Sequence, residues 1–156
     1  MSNVLTFLVE GRPVPKERAR AVRMKSGKYR TFTPVRTERW EQTVRLVAQA
    51  ACSAVRWKPV EGRYEIDVTV HRTRRAGDAD NYLKSVKDAL NAVVWPDDRM
   101  VMRAAVQLVD GETPGVQVRV TRSTTCGQTF QRQADGSYCA CVAPYGHAHA
   151  HRWDAA

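Results

Sequence analysis

The segment from Tyr64 to Val70 alternates apolar and polar side chains without a break and is rich in β-branched residues. A period of two sends successive side chains to opposite faces of an extended chain, so this segment predicts a β-strand with one face on a core. The segment from Val4 to Glu10 has apolar residues at every second position, Leu5, Phe7 and Val9, and predicts a first strand. An all-helical fold is therefore excluded.

Two other stretches repeat their apolar residues every three or four positions, which is the spacing of one face of an α-helix. The first runs from Thr37 to about Trp57. The second runs from about Asn81 to Ala92, with Asp80 in the position of its N-cap. These two helices separate the predicted strands along the chain.

The region after the second helix predicts two more strands, 101–109 and 116–120, which we expect to form a hairpin through a turn at 110–115. The resulting order of elements is typical of an α/β chain of the α+β type, a single small mixed sheet packed with two helices. In a chain of 156 residues this order predicts one domain, 1–122, followed by a short tail, 123–156.

Charge is distributed unevenly along the chain. The formal net charge is +9, and residues 1–75 alone hold 17 basic and 7 acidic side chains, a balance of +10. Residues 76–98 hold two lysines and five aspartates, a balance of −3. A basic surface is typical of proteins that bind phosphates. Acids on such a surface repel a polyanion unless a divalent cation lies between them, which is the arrangement of metal-dependent nucleases.

The sequence gives no sign of a membrane segment. No apolar run approaches the roughly 20 residues that a membrane-spanning helix needs. Residues 1–7 lack the basic and apolar regions of a secretory signal. We therefore expect no membrane partner and a cytoplasmic location. Cys52 lies in an apolar helical stretch, where a buried thiol is the simplest interpretation.

The acidic region contains a pattern that could carry chemistry. Asp78 and Asp80 are two residues apart, so an extended backbone points both carboxylates to one side just before a helix. Lys84 follows one turn after Asp80, whereas Asp98 comes beyond the helix, where only tertiary folding can return it to the others. Carboxylates suit Mg²⁺ or Mn²⁺, and a neighbouring lysine can stabilise charge on a phosphate in the transition state.

Simpler interpretations of the same residues stay open at this point. Asp80 could only cap the helix, and Lys84 and Asp88 could only form an exposed pair four residues apart. Asp97 and Asp98 could only form a turn. The Asp-x-Asp spacing is common and does not by itself distinguish catalysis from these roles.

Six motifs occur along the chain in a fixed order. They are Pro15-Lys16-Glu17-Arg18-Ala19-Arg20, Tyr29 to Pro34, Trp40-Glu41, Asp78-Ala79-Asp80-Asn81-Tyr82-Leu83-Lys84, Asp88-Ala89-Leu90 and Asp97-Asp98-Arg99-Met100-Val101. Together they resemble the RusA family of Holliday junction resolvases over about residues 4–121. The resemblance implies a homodimeric, Mg²⁺-dependent endonuclease of phage or prophage type. Such an enzyme nicks opposing strands of branched DNA, the four-way junction, in DNA recombination and repair.

The resemblance also implies roles for individual residues. By match of motif, Asp78, Asp80 and Asp98 are catalytic carboxylates that hold Mg²⁺, for which Mn²⁺ can substitute, and Lys84 is the catalytic lysine. Asp97 is expected to support these ligands rather than bind the metal. Family members often carry a basic residue near the end of the next strand, but residues 107–110 of this chain contain none. The chain therefore gives no support for a second catalytic lysine.

Basic residues in two clusters are expected to hold the phosphate backbone of the DNA rather than to recognise bases. They are Lys16, Arg18, Arg20, Arg72, Arg74 and Arg75. For each of them singly, a solvated surface charge is the simpler interpretation. Together they are better explained by DNA.

The tail contains thiols and imidazoles that the resemblance does not cover. Cys126, Cys139, Cys141 and His147 are the obvious set for a structural Zn²⁺. The paired Cys-x-x-Cys motifs of most zinc sites are absent, and without a metal we expect a disordered tail.

Three functions are compatible with these observations. The first is the junction-resolving endonuclease, which the Asp and Lys pattern favours. The second is a non-catalytic DNA-binding recombination accessory protein, which metal-dependent nicking would separate from the first. The third is an interaction module in which the acids cap helices and the charge only confers solubility. Binding measured across salt concentrations tests the third, because phosphate contacts predict a steep loss of affinity with salt.

Overall fold

The computed structural model describes residues 3–123, 129–132, 138–141 and 153–155. In chain order the elements are β1 (Val4–Glu10), β2 (Arg20–Arg23), β3 (Tyr29–Phe32), α1 (Val35–Ala54), β4 (Arg63–Arg72), α2 (Ala79–Leu90), a 3₁₀ turn (Asp98–Met100), β5 (Val101–Asp110), β6 (Gly115–Ser123), β7 (Thr129–Arg132), β8 (Tyr138–Cys141) and β9 (Trp153–Ala155).

A mixed four-stranded sheet with the order β1-β6-β4-β5 forms the centre of the fold. β6 pairs antiparallel with β1 and with β4, whereas β4 and β5 are parallel. A parallel pair needs a crossover connection, which here contains α2. The mixed sheet and the two helices confirm the predicted α+β fold class.

The predicted hairpin between the last two strands of this sheet is wrong. β5 and β6 follow one another in the chain, but β4 lies between them and pairs with both. The connection crosses the end of β4, where the Gly111 backbone N–H donates to the Arg72 carbonyl oxygen at 3.0 Å. Alternation identifies a strand but carries no information about its neighbours, and this is why the sequence misled the prediction.

The two helices pack on each other, and they also pack on β1 and β5 respectively. The predicted stripe of α1 faces the core, with Trp40, Val44 and Ala48 all buried. Cys52 is a buried free thiol, as predicted, and burial raises its pKa. Alternate residues of β1, β4 and β6 meet the helices to complete one hydrophobic core.

The first turn of α2 differs from the prediction. The helix begins at Ala79, so the N-cap position belongs to Asp78, whose side chain makes no capping hydrogen bond. Asp80 lies inside the first turn. The interpretation of Asp80 as the N-cap is therefore wrong, and its carboxylate has no capping role to explain it.

Two smaller sheets complete the described part of the chain. β2 and β3 form an antiparallel hairpin, and β7, β8 and β9 form a three-stranded sheet in the tail. Cys139 and Cys141 belong to β8, whereas Cys126 and His147 lie outside the described residues. The zinc site therefore stays a prediction. Among the helices that the structure describes, none is long and apolar enough to cross a membrane.

Candidate active site

The start of α2 positions the first predicted residues. Asp78 is exposed, with an extended backbone just before the helix. Asp80 and Lys84 follow inside the helix, four residues apart and both exposed. Residues four apart lie on the same face of a helix, so the carboxylate and the ammonium share one side of α2.

The 3₁₀ turn after α2 gives the two adjacent aspartates different surroundings. Asp97 caps the turn, because its Oδ1 accepts a hydrogen bond from the Arg99 backbone N–H at 2.9 Å. Asp98 Oδ1 accepts a hydrogen bond from the indole N–H of Trp95 at 2.6 Å. Trp95 is fully buried, so this bond ties the Asp98 carboxylate to the core. Asp97 thus has a structural role, whereas Asp98 is oriented by a rigid side chain.

An open cleft of about 370 Å³ brings the predicted residues from these two segments together. It is lined by Asp80, Leu83, Lys84, Lys87, Asp88 and Asp98. The tertiary return of Asp98 to Asp80 and Lys84, which spacing could not establish, is therefore present in the fold. Asp78 does not line this cleft.

The donor set of the cleft suits a hard divalent cation. Within the described part of the chain, no three His, Cys, Asp or Glu side chains are close enough to hold a metal ion as they stand. Mg²⁺, however, keeps several waters and is usually bound through one or two carboxylates together with substrate phosphates. Asp80 and Asp98 are two such carboxylates, so the residues present fit Mg²⁺ or Mn²⁺.

Lys16 lies between the two helices. Its ammonium contacts Glu41 Oε1 on α1 at 2.6 Å and Asp88 Oδ2 on α2 at 2.7 Å. Burial lowers the pKa of Lys16, but the hydrogen bonds that its ammonium donates to Asp88 and Glu41 outweigh that effect and the pKa is raised. The charge of Lys16 is thus already balanced inside the protein, which the expectation of a phosphate contact did not foresee. Asp88 pairs with Lys16, and among the described residues no ion pair joins it to Lys84.

The segment 13–16 before β2, which contains Pro13 and Pro15 and is called the proline segment below, contacts the start of α2. The Lys16 backbone N–H donates to the Asn81 carbonyl oxygen at 2.8 Å. Gly77 has a φ of +77°, and a Cβ at this position would lie 2.6 Å from Pro15 Cγ. The Tyr82 hydroxyl donates to the Ala76 carbonyl oxygen. The loop that carries Asp78 is therefore fixed from both sides.

The arginines at the end of β4 and in the loop that follows it divide into two groups. The Arg72 guanidinium is mostly buried and donates to Asp110 at 2.7 Å, and Arg75 donates to the same carboxylate at 3.0 Å. The hydrogen bond from Arg72 is the largest cause of the lowered pKa of Asp110, although desolvation opposes it. Arg74 and the distant Arg18 are exposed.

A second, smaller cleft of about 80 Å³ collects arginines from three segments. Arg12, Arg36, Arg72 and Arg74 all line it. The sequence did not predict that Arg12 and Arg36 would lie beside Arg72 and Arg74. Only the packing of their segments brings these four arginines together. The sequence also did not predict that Trp95 would bond Asp98 or that Glu41 would pair with Lys16. For Trp95 the one indication was its position three residues before Asp98.

Comparison with known proteins gives two similarities. A family model described as endodeoxyribonuclease RusA matches residues 10–121. The chain is also similar to a Bacillus subtilis (strain 168) protein described as uncharacterized protein YqaN. The two are 28% identical over 141 residues, and the match covers 74% of this chain and 94% of the relative. The family match includes the proline segment, both helices and the whole cleft.

Proposed function

Because this chain belongs to the RusA family of endodeoxyribonucleases, we propose that it is a Mg²⁺-dependent Holliday junction resolvase of phage or prophage type. It resolves four-way junctions by paired nicks during recombination or repair. The observation that supports this most is the cleft at which Asp80, Lys84 and Asp98 meet. A homodimer would supply one such cleft for each of the two strands.

In this proposal Asp80 and Asp98 hold the divalent cation, and Asp78, at the N-cap of α2, lies outside the lining of the cleft. When bound, the cation lowers the pKa of a water molecule and orients it toward the scissile phosphodiester. The Trp95 indole holds one oxygen of Asp98 and leaves the other available as a ligand. The Lys84 ammonium stabilises the negative charge that develops on the phosphate. Asp97 keeps the 3₁₀ turn, and with it Asp98, in place.

The arginine cleft binds the phosphate backbone. Arg12, Arg36, Arg72 and Arg74 act there, and the exposed Arg18 and Arg75 extend the basic surface together with Arg20. Arg72 and Arg75 share the single carboxylate of Asp110, so these two guanidinium groups keep a net positive charge. Lys16 does not contribute a phosphate contact, because two carboxylates already balance its charge. Its role is to hold the two helices together beside the cleft.

The test is nicking of a labelled synthetic four-way junction with Mg²⁺ or EDTA. Wild-type protein should make symmetric nicks that disappear with EDTA, with Asp80→Asn and with Asp98→Ser. Asp97→Ser is the matched control. Serine can still cap the turn, and the substitution removes one negative charge from the residue next to Asp98. It should retain most of the nicking activity. If Asp97→Ser and Asp98→Ser lost nicking activity equally, the assignment of the metal to Asp98 rather than Asp97 would be wrong.

The alternative function is a non-catalytic DNA-binding accessory protein for recombination. It predicts salt-sensitive junction binding without nicking under any divalent cation, and with no difference between wild-type protein and Asp80→Asn. That result would overturn the assignment of catalysis while keeping the DNA-binding surface.

A further inference from the structure

The β2–β3 hairpin stands apart from the hydrophobic core. Its strands pair only with each other, and the turn is closed by the Met24 N–H donating to the Lys28 carbonyl oxygen at 2.7 Å. Residues 21–32 are all exposed. A two-stranded hairpin without a packed face gains little stability of its own. Its sequence is therefore not explained by the needs of the fold.

The hairpin is strongly basic. Residues 18–32 contain six lysines and arginines and no aspartate or glutamate. Elsewhere in the fold, cations such as Lys16 and Arg72 are balanced by carboxylates. A run of cations without a single acid attracts a polyanion, and binding releases the counterions condensed on it.

The hairpin also exposes large apolar side chains. Tyr29 is 72% exposed, Val22 53%, Met24 49% and Phe32 40%. In the register, Val22 is opposite Arg30 and Tyr29 is opposite Arg23. Directly opposed residues share a face, so each face combines an arginine with an apolar side chain. Tyr29 and Phe32 are three residues apart on one strand and therefore lie on opposite faces.

This mixture fits nucleic acid better than a lipid surface or a protein groove. A membrane-binding ribbon would collect its apolar residues on one face and its cations on the other. Here each face carries one aromatic ring together with at least one arginine. Arginine beside an aromatic ring is the combination that binds a phosphate and the unstacked base next to it.

We propose that the β2–β3 hairpin is an arm that binds the branch of junction DNA, with its basic residues on the phosphates and Tyr29 and Phe32 stacked on bases that have lost a stacked neighbour at the branch. This inference rests on the proposed DNA-binding function and names what that function recognises. Such base faces are available at an open branch or in a single strand but not within a linear duplex. The arm therefore gives the protein its preference for branched over linear DNA.

The test measures affinity by fluorescence anisotropy in EDTA, so that cleavage plays no part. The probes are a four-way junction, a linear duplex of the same sequence and a single strand. Tyr29→Ala and Phe32→Ala should each weaken binding to the junction and the single strand by about 5- to 150-fold, the usual loss for one stacked base, and leave duplex binding unchanged. Tyr29→Phe should bind like wild-type protein, because the ring is kept.

Two matched controls separate stacking from charge and from general exposure. Lys28→Ala should weaken binding to all three DNAs alike and reduce the slope of affinity against salt by about one phosphate contact. Leu46→Ala removes a side chain that is equally exposed but lies on α1, and it should change nothing. With 2-aminopurine at the branch, wild-type protein and Tyr29→Phe should alter the fluorescence, whereas Tyr29→Ala should not.

Several outcomes would overturn the inference. Equal losses on junction and duplex for Tyr29→Ala would reduce the hairpin to an electrostatic contact. If Tyr29→Ala sedimented more slowly than wild-type protein in the absence of DNA, the hairpin would be a contact between copies of the chain. Binding to phosphatidylserine vesicles that Tyr29→Ala abolishes would make it a membrane arm. Junction binding that depends on Tyr29, in a protein that never nicks, would support the arm and reject only the proposed catalysis.

Discussion

Replacing Lys16 by methionine should destabilise the protein by about 2 kcal/mol. The ammonium joins the N-terminal segment to both helices through contacts of 2.6 and 2.7 Å. The side chains of Lys16, Glu41 and Asp88 are 21%, 19% and 32% exposed. Methionine keeps most of the apolar stem but leaves two carboxylates facing each other without a cation.

The magnitude follows from the degree of burial. An exposed ion pair contributes about 0.2–1 kcal/mol, and removing one partner of a fully buried pair costs about 3–5 kcal/mol. Groups that are one fifth to one third exposed lie between these limits, because water still screens part of the charge. Two pairs share one ammonium, so their contributions do not simply add.

Urea unfolding at pH 7, followed by the fluorescence of the buried tryptophans, measures this difference. Lys25→Met is the control, since Lys25 lies on the exposed hairpin, and it should change the free energy of unfolding by less than about 0.5 kcal/mol. A double-mutant cycle with Asp88→Asn should give a coupling energy of about 1 kcal/mol. A loss for Lys16→Met no greater than that for Lys25→Met would refute the reasoning.

The same pair predicts a dependence on pH. The pKa of Lys16 is raised in the folded protein above its usual 10.5, so the folded state holds this proton more tightly than the unfolded state. The stabilisation is fully present below pH 10.5 and is lost as the pH rises through the folded-state pKa. The difference in free energy of unfolding between wild-type protein and Lys16→Met should therefore be constant from pH 7 to pH 9 and should narrow only above pH 10.5.

Three further predictions concern the support of the cleft. Trp95→Phe keeps a ring in the core but removes the N–H that orients Asp98, the proposed catalytic carboxylate; the nicking rate on pre-bound junction should fall about tenfold while junction affinity is unchanged. Gly77→Ala combines a positive φ with a contact of 2.6 Å to Pro15 and should lower the free energy of unfolding by about 2–4 kcal/mol. The pKa of Asp110 is lowered, so its bond to Arg72 stabilises the protein above the usual carboxyl pKa and is lost on acidification; hydrogen exchange of residues 73–77 should increase below pH 4, and in Asp110→Asn already at pH 7.

Local patterns predicted the elements of the fold better than their arrangement. β1 has the bounds that its alternation predicts, and the stripe of α1 is buried as its spacing requires. The place of β4 between β5 and β6 could not be predicted, because strand order depends on the packing of α2 across the sheet. The start of α2 was missed by two residues for a related reason: the contact between Gly77 and Pro15 fixes where the helix begins.

The candidate site shows the same division between local and distant information. Asp80 and Lys84 were predicted together from helical spacing alone. Asp98 joins them because Trp95 is buried and holds it, which no spacing rule contains. Lys16 pairs with Glu41 and Asp88 because α1 packs against α2. The sequence does not contain this packing, so it predicted a DNA contact for Lys16 as for the other basic residues.

The cleft is therefore held by segments that carry none of its proposed chemistry. Pro15 packs against Gly77 and the Lys16 backbone N–H donates to the Asn81 carbonyl oxygen. The Lys16 ammonium pairs with Asp88, two residues before the end of α2. These contacts fix α2 along its length, and Trp95 fixes the turn that follows it. If the N-terminal segment were released, Asp80 and Lys84 would stay together on one helix face but would lose their fixed relation to Asp98. Lys16→Met should thus impair nicking before it impairs junction binding, because the Lys16 ammonium contacts the two helices and does not line the arginine cleft.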